Sequence, residues 1–92
     1  MNLQEAQQST LEEYTKASNS HKPFTSKHEG FAILLEEVDE LWHEVKHGGK
    51  KKMKEEAIQV AAMAMRFLVD CCDNDKNSKR TDYTGLTNIG NK

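Results

Sequence analysis

Phe31, Leu34, Leu35, Val38, Leu41, Trp42 and Val45 recur at the i, i+3, i+4, i+7 spacing that lines one face of an α-helix. Thr25 or Ser26 can cap the start of this helix, and Glu29 falls in its first turn. Gly48-Gly49 closes it just after Lys46 and His47, where cations suit a helix C-terminus. Trp42 lies on the apolar face and reads as core. Beyond a lysine run (Lys50, Lys51, Lys52, Lys54), a helix is predicted over about Met53 to Asp73. It is apolar almost all round, with polar side chains confined to a narrow stripe of Glu55, Glu56, Gln59, Arg66, Asp70 and Asp73. A helix with so little polar surface needs cover on several sides. Ala57, Ala61, Ala62 and Ala64 would let other helices approach it closely.

The ends are plainer. Leu3, Ala6, Leu11, Tyr14 and Ala17 give a weak helical spacing over residues 3–18, predicting a first helix that is mostly exposed. A loop over residues 19–26, punctuated by Pro23, follows it. From Asp75 onward the chain is polar without any period. The expected fold class is all-α: two long antiparallel helices plus a shorter N-terminal helix, forming an intersubunit helix bundle. Residues 1–75 make the helical domain, with its core at 28–73, and residues 76–92 make a polar C-terminal tail.

Composition explains why a second subunit enters this expectation. Of 92 residues, 33 are apolar, and 23 of those lie between Phe31 and Cys72. So short a chain buries a small share of its surface and leans on disulfides, a metal or a partner. Cys71 and Cys72 are the only cysteines, and adjacent residues cannot readily adopt disulfide geometry. That leaves a metal, a partner, or both, and the partner expected is the chain itself, as a homodimer or homotetramer. No stretch has the length and apolarity of a membrane span, and the N-terminus lacks the pattern of a secretory signal. A formal net charge of −2 argues against a nucleic-acid polymer as partner. The cysteine usage fits a reducing, cytoplasmic setting.

Charge patterning carries the chemistry. Between Glu29 and Val45 there are six acidic residues and no Lys or Arg. Like charges three or four apart cost a helix a few tenths of a kcal/mol per pair. Ordinary exposed helices relieve that cost with interspersed lysines, and this one does not. Glu37, Glu40 and Glu44 fall on a stripe flanking the apolar face, on the side of Ile33. Glu56 and Gln59 repeat the i, i+3 spacing on the next helix. Two antiparallel helices, each offering such a pair of oxygens, can enclose a hard cation, and Mg²⁺ prefers oxygen ligands shared with substrate phosphates. The plainer reading is a solvated acidic face; the missing counter-charges and the matching pair on a buried helix weigh against it.

Glu36-Glu37-Val38-Asp39-Glu40, followed after 15 residues by Glu56, resembles the EExxE…ExxD signature of MazG-like all-α nucleoside triphosphate pyrophosphohydrolases. The wider runs HEGFAILLEEVDELWHEV and EEAIQVAAMAMRFLVD are similar to that superfamily, and together they span residues 28–73. The resemblance implies a helical bundle whose sites are completed by oligomerisation. It also implies Mg²⁺-dependent hydrolysis, with Mn²⁺ as a substitute, of a nucleoside triphosphate to a monophosphate and pyrophosphate. By position, Glu37 and Glu40 would form one metal-binding pair and Glu56 would begin the second. Gln59 stands where the motif has Asp, which removes one charge from the set. Glu36 and Glu44 are spare carboxylates able to activate water, with Glu36 preferred. Cations for the phosphates would come from Lys22, Lys27, Lys54, Arg66, Lys79 or Arg80, although Asp70 one turn beyond Arg66 can pair with it instead. Phe24, His21 and His28 are candidates to line the base pocket.

Two other readings compete. His43-Glu44-Val45-Lys46-His47 matches the H-E-x-x-H pattern of zinc hydrolases. Both histidines point away from the apolar face and Gly48-Gly49 ends the helix at once, so the match reads as incidental. The other reading is a non-catalytic helical oligomerisation module.

Overall fold

A computed structural model describes residues 1–72 of the chain. The expected C-terminal tail, with Lys79 and Arg80, lies outside the described residues. Three helices follow in order: α1 (Leu3–Ser20), α2 (Lys27–His47) and α3 (Lys50–Cys71). The described residues are therefore all-helical, and none of these helices is long and apolar enough to cross a membrane.

Local chemistry fixes each helix start. Asn2 caps α1 in a reciprocal box: its side chain accepts from the Glu5 N–H at 2.8 Å, and the Glu5 carboxylate accepts from the Asn2 N–H at 3.0 Å. Ser26 caps α2, accepting from the Glu29 N–H at 3.0 Å. Glu29 in turn accepts from the Thr25 N–H at 2.7 Å and the Thr25 hydroxyl at 3.1 Å. The third helix begins at Lys50, three residues before the expected start, with Gly49 at its cap. Gly48 and Gly49 make the whole connection, so the lysine run is the first turn of α3 rather than a linker. Such a short connection makes α2 and α3 antiparallel neighbours.

α3 is the shared partner, packing against α2 on one side and α1 on the other, while α1 and α2 barely meet. Part of the apolar surface of α3 is thus covered within the chain, while Leu68 stays exposed. The arrangement corrects the view of α1 as mostly exposed. Tyr14 is 1% exposed and is the largest fully buried side chain, and with Ala17, Ala62 and Met63 it forms the core. Leu11, Phe24, Ile33, Leu34, Met65 and Val69 pack around that cluster. A second correction concerns Trp42, which is exposed rather than core, as are Phe31, Leu35, Val38 and Val45 along the same helix. Leu34 packs against the core and Leu41 is partly buried, so only part of the apolar face of α2 is covered among the described residues.

The chain is tightly packed around Gly30. A Cβ built there would lie 2.8 Å from Phe67 Cδ1 and 3.0 Å from both Cys71 Sγ and Phe24 Cδ2. Nothing lies within 4 Å of the corresponding position at Gly49. We therefore expect Gly30→Ala to cost about 1–3 kcal/mol of stability through overpacking. Gly49→Ala meets no neighbouring atom and should cost less, up to about 1 kcal/mol, through the poorer N-cap that Ala makes. Urea unfolding of both variants checks this, and equal midpoints would refute the close contact at Gly30.

Candidate functional site

Helical spacing brings Glu37 and Glu40 onto one side of α2, and antiparallel packing brings Glu56 of α3 against them. One oxygen from each of the three carboxylates lies within 4.8 Å of the others. Among the described residues, this is the one group of three or more His, Cys, Asp or Glu side chains placed to hold a metal ion. Glu37 and Glu56 are partly buried and Glu40 is exposed, so the cluster opens to solvent from one side. Oε1 of Glu56 is enclosed and has no hydrogen-bond partner. An enclosed carboxylate oxygen left without a donor is costly, and a cation is the group that would satisfy it. By that measure the residues fit a hard divalent ion, with Glu37, Glu40 and Glu56 as its protein ligands.

The electrostatics agree with the geometry. Burial is the main reason that Glu37 takes up a proton more readily than an ordinary glutamate, followed by the charges of Glu40, Glu56, Glu36 and Glu13. Glu56 is raised as well, first by burial, then by the charge and hydrogen-bonding proximity of Glu40 and by Glu44, with Lys52 pulling the other way. The nearest basic neighbour is of little help: Lys52 makes a long, exposed contact with Glu55, 3.9 Å away.

Beside the cluster lies a cavity of about 570 Å³, formed by the end of α1, the loop after it and the facing sides of α2 and α3. Its wall includes Glu36 and Glu37 of α2 and Gln59, Met63 and Arg66 of α3. Phe24 lines it too, and the Arg66 guanidinium sits over the Phe24 ring, 4.2 Å from its centroid. Arg66 is only 4% exposed and donates to the Lys22 carbonyl at 3.0 Å and to Met63 Sδ at 3.5 Å. The Phe24 N–H donates to the Asp70 carboxylate at 3.0 Å. Arg66 and Asp70 thus both hold the loop, a role that their i, i+4 spacing did not suggest.

The expected site residues divide clearly. Glu37, Glu40 and Glu56 converge, and Glu36, Gln59, Phe24 and Arg66 line the adjoining cavity. His28 and Lys54 are exposed and do not belong to that lining, whereas His21 and Lys22 do. Lys79 lies outside the described residues. Sequence reasoning missed the contribution of α1, whose Glu13, Lys16, Ala17 and Ser20 all line the cavity. Their i, i+3, i+4, i+7 spacing was the available signal, but their mixed polarity hid it. His43 and His47 are exposed on α2, their ring centroids 5.0 Å apart and their planes tilted by 52°, and neither belongs to the carboxylate cluster.

No family model matches this chain, and no curated protein or solved structure matches it. Function therefore has to be read from the residues themselves.

The raised carboxyls give a test with a defined sign. Glu37 and Glu56 bind a proton more readily folded than unfolded, where the ordinary value is 4.5. Their contribution to stability is therefore present below about pH 4.5 and is lost as pH rises through the raised values. Glu37→Gln and Glu56→Gln should raise the melting temperature of the metal-free protein at neutral pH and have little effect near pH 4. Millimolar Mg²⁺ should stabilise the wild type more at neutral pH than near pH 5, and should leave both variants unchanged. An Mg²⁺ response retained by both variants would remove these carboxylates from the ligand set.

Proposed function

We propose that this chain is a Mg²⁺-dependent nucleoside triphosphate pyrophosphohydrolase, converting a (d)NTP to a (d)NMP and pyrophosphate. The observation that carries the reading is the convergence of Glu37, Glu40 and Glu56 at the edge of a cavity of about 570 Å³. That volume suits a small-molecule ligand. The MazG-like motif, laid over the same carboxylates, supplies the reaction. In this reading the protein works in the cytoplasm, clears the nucleotide pool and takes a second copy of itself as partner.

The division of labour follows from the side chains. Glu37, Glu40 and Glu56 would hold the metal, and Gln59, on the cavity wall, could offer a neutral amide oxygen as a further donor. When bound, Mg²⁺ would supply neutralisation of phosphate charge and would make the attacking water more acidic. Glu36, on the cavity wall, orients the attacking water and takes its proton. Water oxygen bonds to the α-phosphorus as the bridging α–β P–O bond breaks, and the electron pair leaves with pyrophosphate. The Phe24 ring gives the base an apolar surface, and Arg66 beneath it keeps that ring in place. Lys16 and Lys22 are the cavity's free-standing cations for the phosphates.

A non-catalytic helical module is the second reading, favoured by neutral Gln59 where the motif carries Asp. Incubation with Mg²⁺ and a panel of common and modified nucleoside triphosphates separates the two. We expect monophosphate and pyrophosphate as products, with Glu37→Gln and Glu40→Gln each reducing turnover at least about 100-fold while the fold is kept. Gln59→Asp should tighten Mg²⁺ dependence. A folded, Mg²⁺-saturated protein that turns over no member of the panel would leave the module reading; stepwise release of orthophosphate would point to another phosphohydrolase.

A further inference from the structure

His43 and His47 stand one turn apart at the end of α2, and both side chains are exposed. Their ring centroids are 5.0 Å apart, with the ring planes inclined by 52°. That distance has a chemical meaning. An imidazole nitrogen binds a divalent transition ion at about 2.0–2.1 Å, which puts the ring centroid about 3.2 Å from the ion. Two such rings on one tetrahedral ion have centroids about 5 Å apart. Ring contact alone tolerates centroids anywhere from about 4.5 to 7 Å. A shared ion requires the short part of that range, and the pair stands there.

The surroundings favour a cation. Asp39 lies one turn before His43 on the same row and Glu40 three residues before it, both exposed. The carbonyls that end α2 at His47 carry the partial negative charge of a helix C-terminus. Lys46, the other cation of this turn, leans toward Trp42, with its ammonium 5.2 Å from the ring centroid.

We propose that His43 and His47 form a second metal site, an open two-nitrogen clamp for a borderline divalent ion of the Zn²⁺, Ni²⁺ or Cu²⁺ class. Imidazole nitrogen suits these ions, whereas Mg²⁺ takes oxygen. The two ends of α2 thus sort metals by ligand chemistry, with hard ions at the carboxylates and borderline ions at the histidines. As a hydrolase signature the H-E-x-x-H run is incomplete. Among the described residues no third His, Cys, Asp or Glu joins the two rings, and Glu44 falls in the row of Glu37 and Glu40 instead. Water fills the remaining coordination positions. An ion shared across one turn ties down the last turn of α2, so occupancy stabilises the helix end beside Gly48-Gly49. None of this depends on turnover of a triphosphate.

The test follows the histidine ring signals of the full wild-type chain by NMR during a Zn²⁺ titration, with Mg²⁺ in excess so that the carboxylates do not compete. The signals of His43 and His47 should shift together and saturate, while those of His21 and His28 stay in place. Mg²⁺ alone should move neither ring of the pair. In His43→Asn the shift of His47 should need at least about 10-fold more Zn²⁺, the loss seen even when a group that merely supports a ligand is removed. His47→Asn should do the same to His43. Both positions are exposed, so the variants should keep their helical circular dichroism. Shifts confined to His21 or His28 overturn the proposal, as does a remaining ring that responds equally well in either variant. So does a pair unmoved at about 1 mM Zn²⁺, where any site tighter than that is at least half filled.

Discussion

The buried guanidinium of Arg66 is the contact on which the site side of this molecule depends. A charge in the interior costs several kcal/mol unless its surroundings replace water. Here the replacements include the Lys22 carbonyl, the face of Phe24 and the sulfur of Met63. Lys22 and Phe24 both belong to the loop joining α1 to α2. The loop is therefore fixed by what Arg66 requires, and Asp70 fastens it again through the Phe24 N–H. With the loop fixed, the end of α1 stands beside α2 at a set distance and the space between them persists as a cavity.

The carboxylates present the opposite case. Every structural rule would place a lysine among Glu36, Glu37, Glu40 and Glu44, and none is there. The fold then adds to the repulsion by bringing Glu56 across from the next helix and enclosing one of its oxygens. Conflicts of this kind between local chemistry and global fold concentrate where a protein acts. Burial and mutual repulsion together raise the proton affinity of Glu37 and Glu56, so the conflict is held in two partly buried carboxyls.

Much of this was legible in the residues. Period and punctuation gave three helices and the turn at Gly48-Gly49, because apolar spacing and capping chemistry act locally. Glu37, Glu40 and Glu56 were legible as a group because i, i+3 pairs on antiparallel helices can meet in few ways. What escaped was tertiary. Tyr14 looked like one apolar residue in a polar helix, and nothing local says that α3 has room for it. Trp42 belonged to a continuous apolar face, and spacing cannot tell which part of a wide face the neighbouring helix covers. Lys50 to Lys52 resembled a linker, since three lysines carry no period, yet they are helical once Gly49 starts the turn.

The packing of α1 and α2 on α3, and scarcely on each other, orders the events of synthesis. Isolated helices of about this length are marginal in water. A nascent chain that has reached Gly49 holds two helices and no surface on which either can settle. Core formation waits for the last of the three, and Tyr14, made early, stays wet until Ala62 and Met63 arrive. The buried core therefore needs α3 in place before α1 and α2 have a shared surface to rest on.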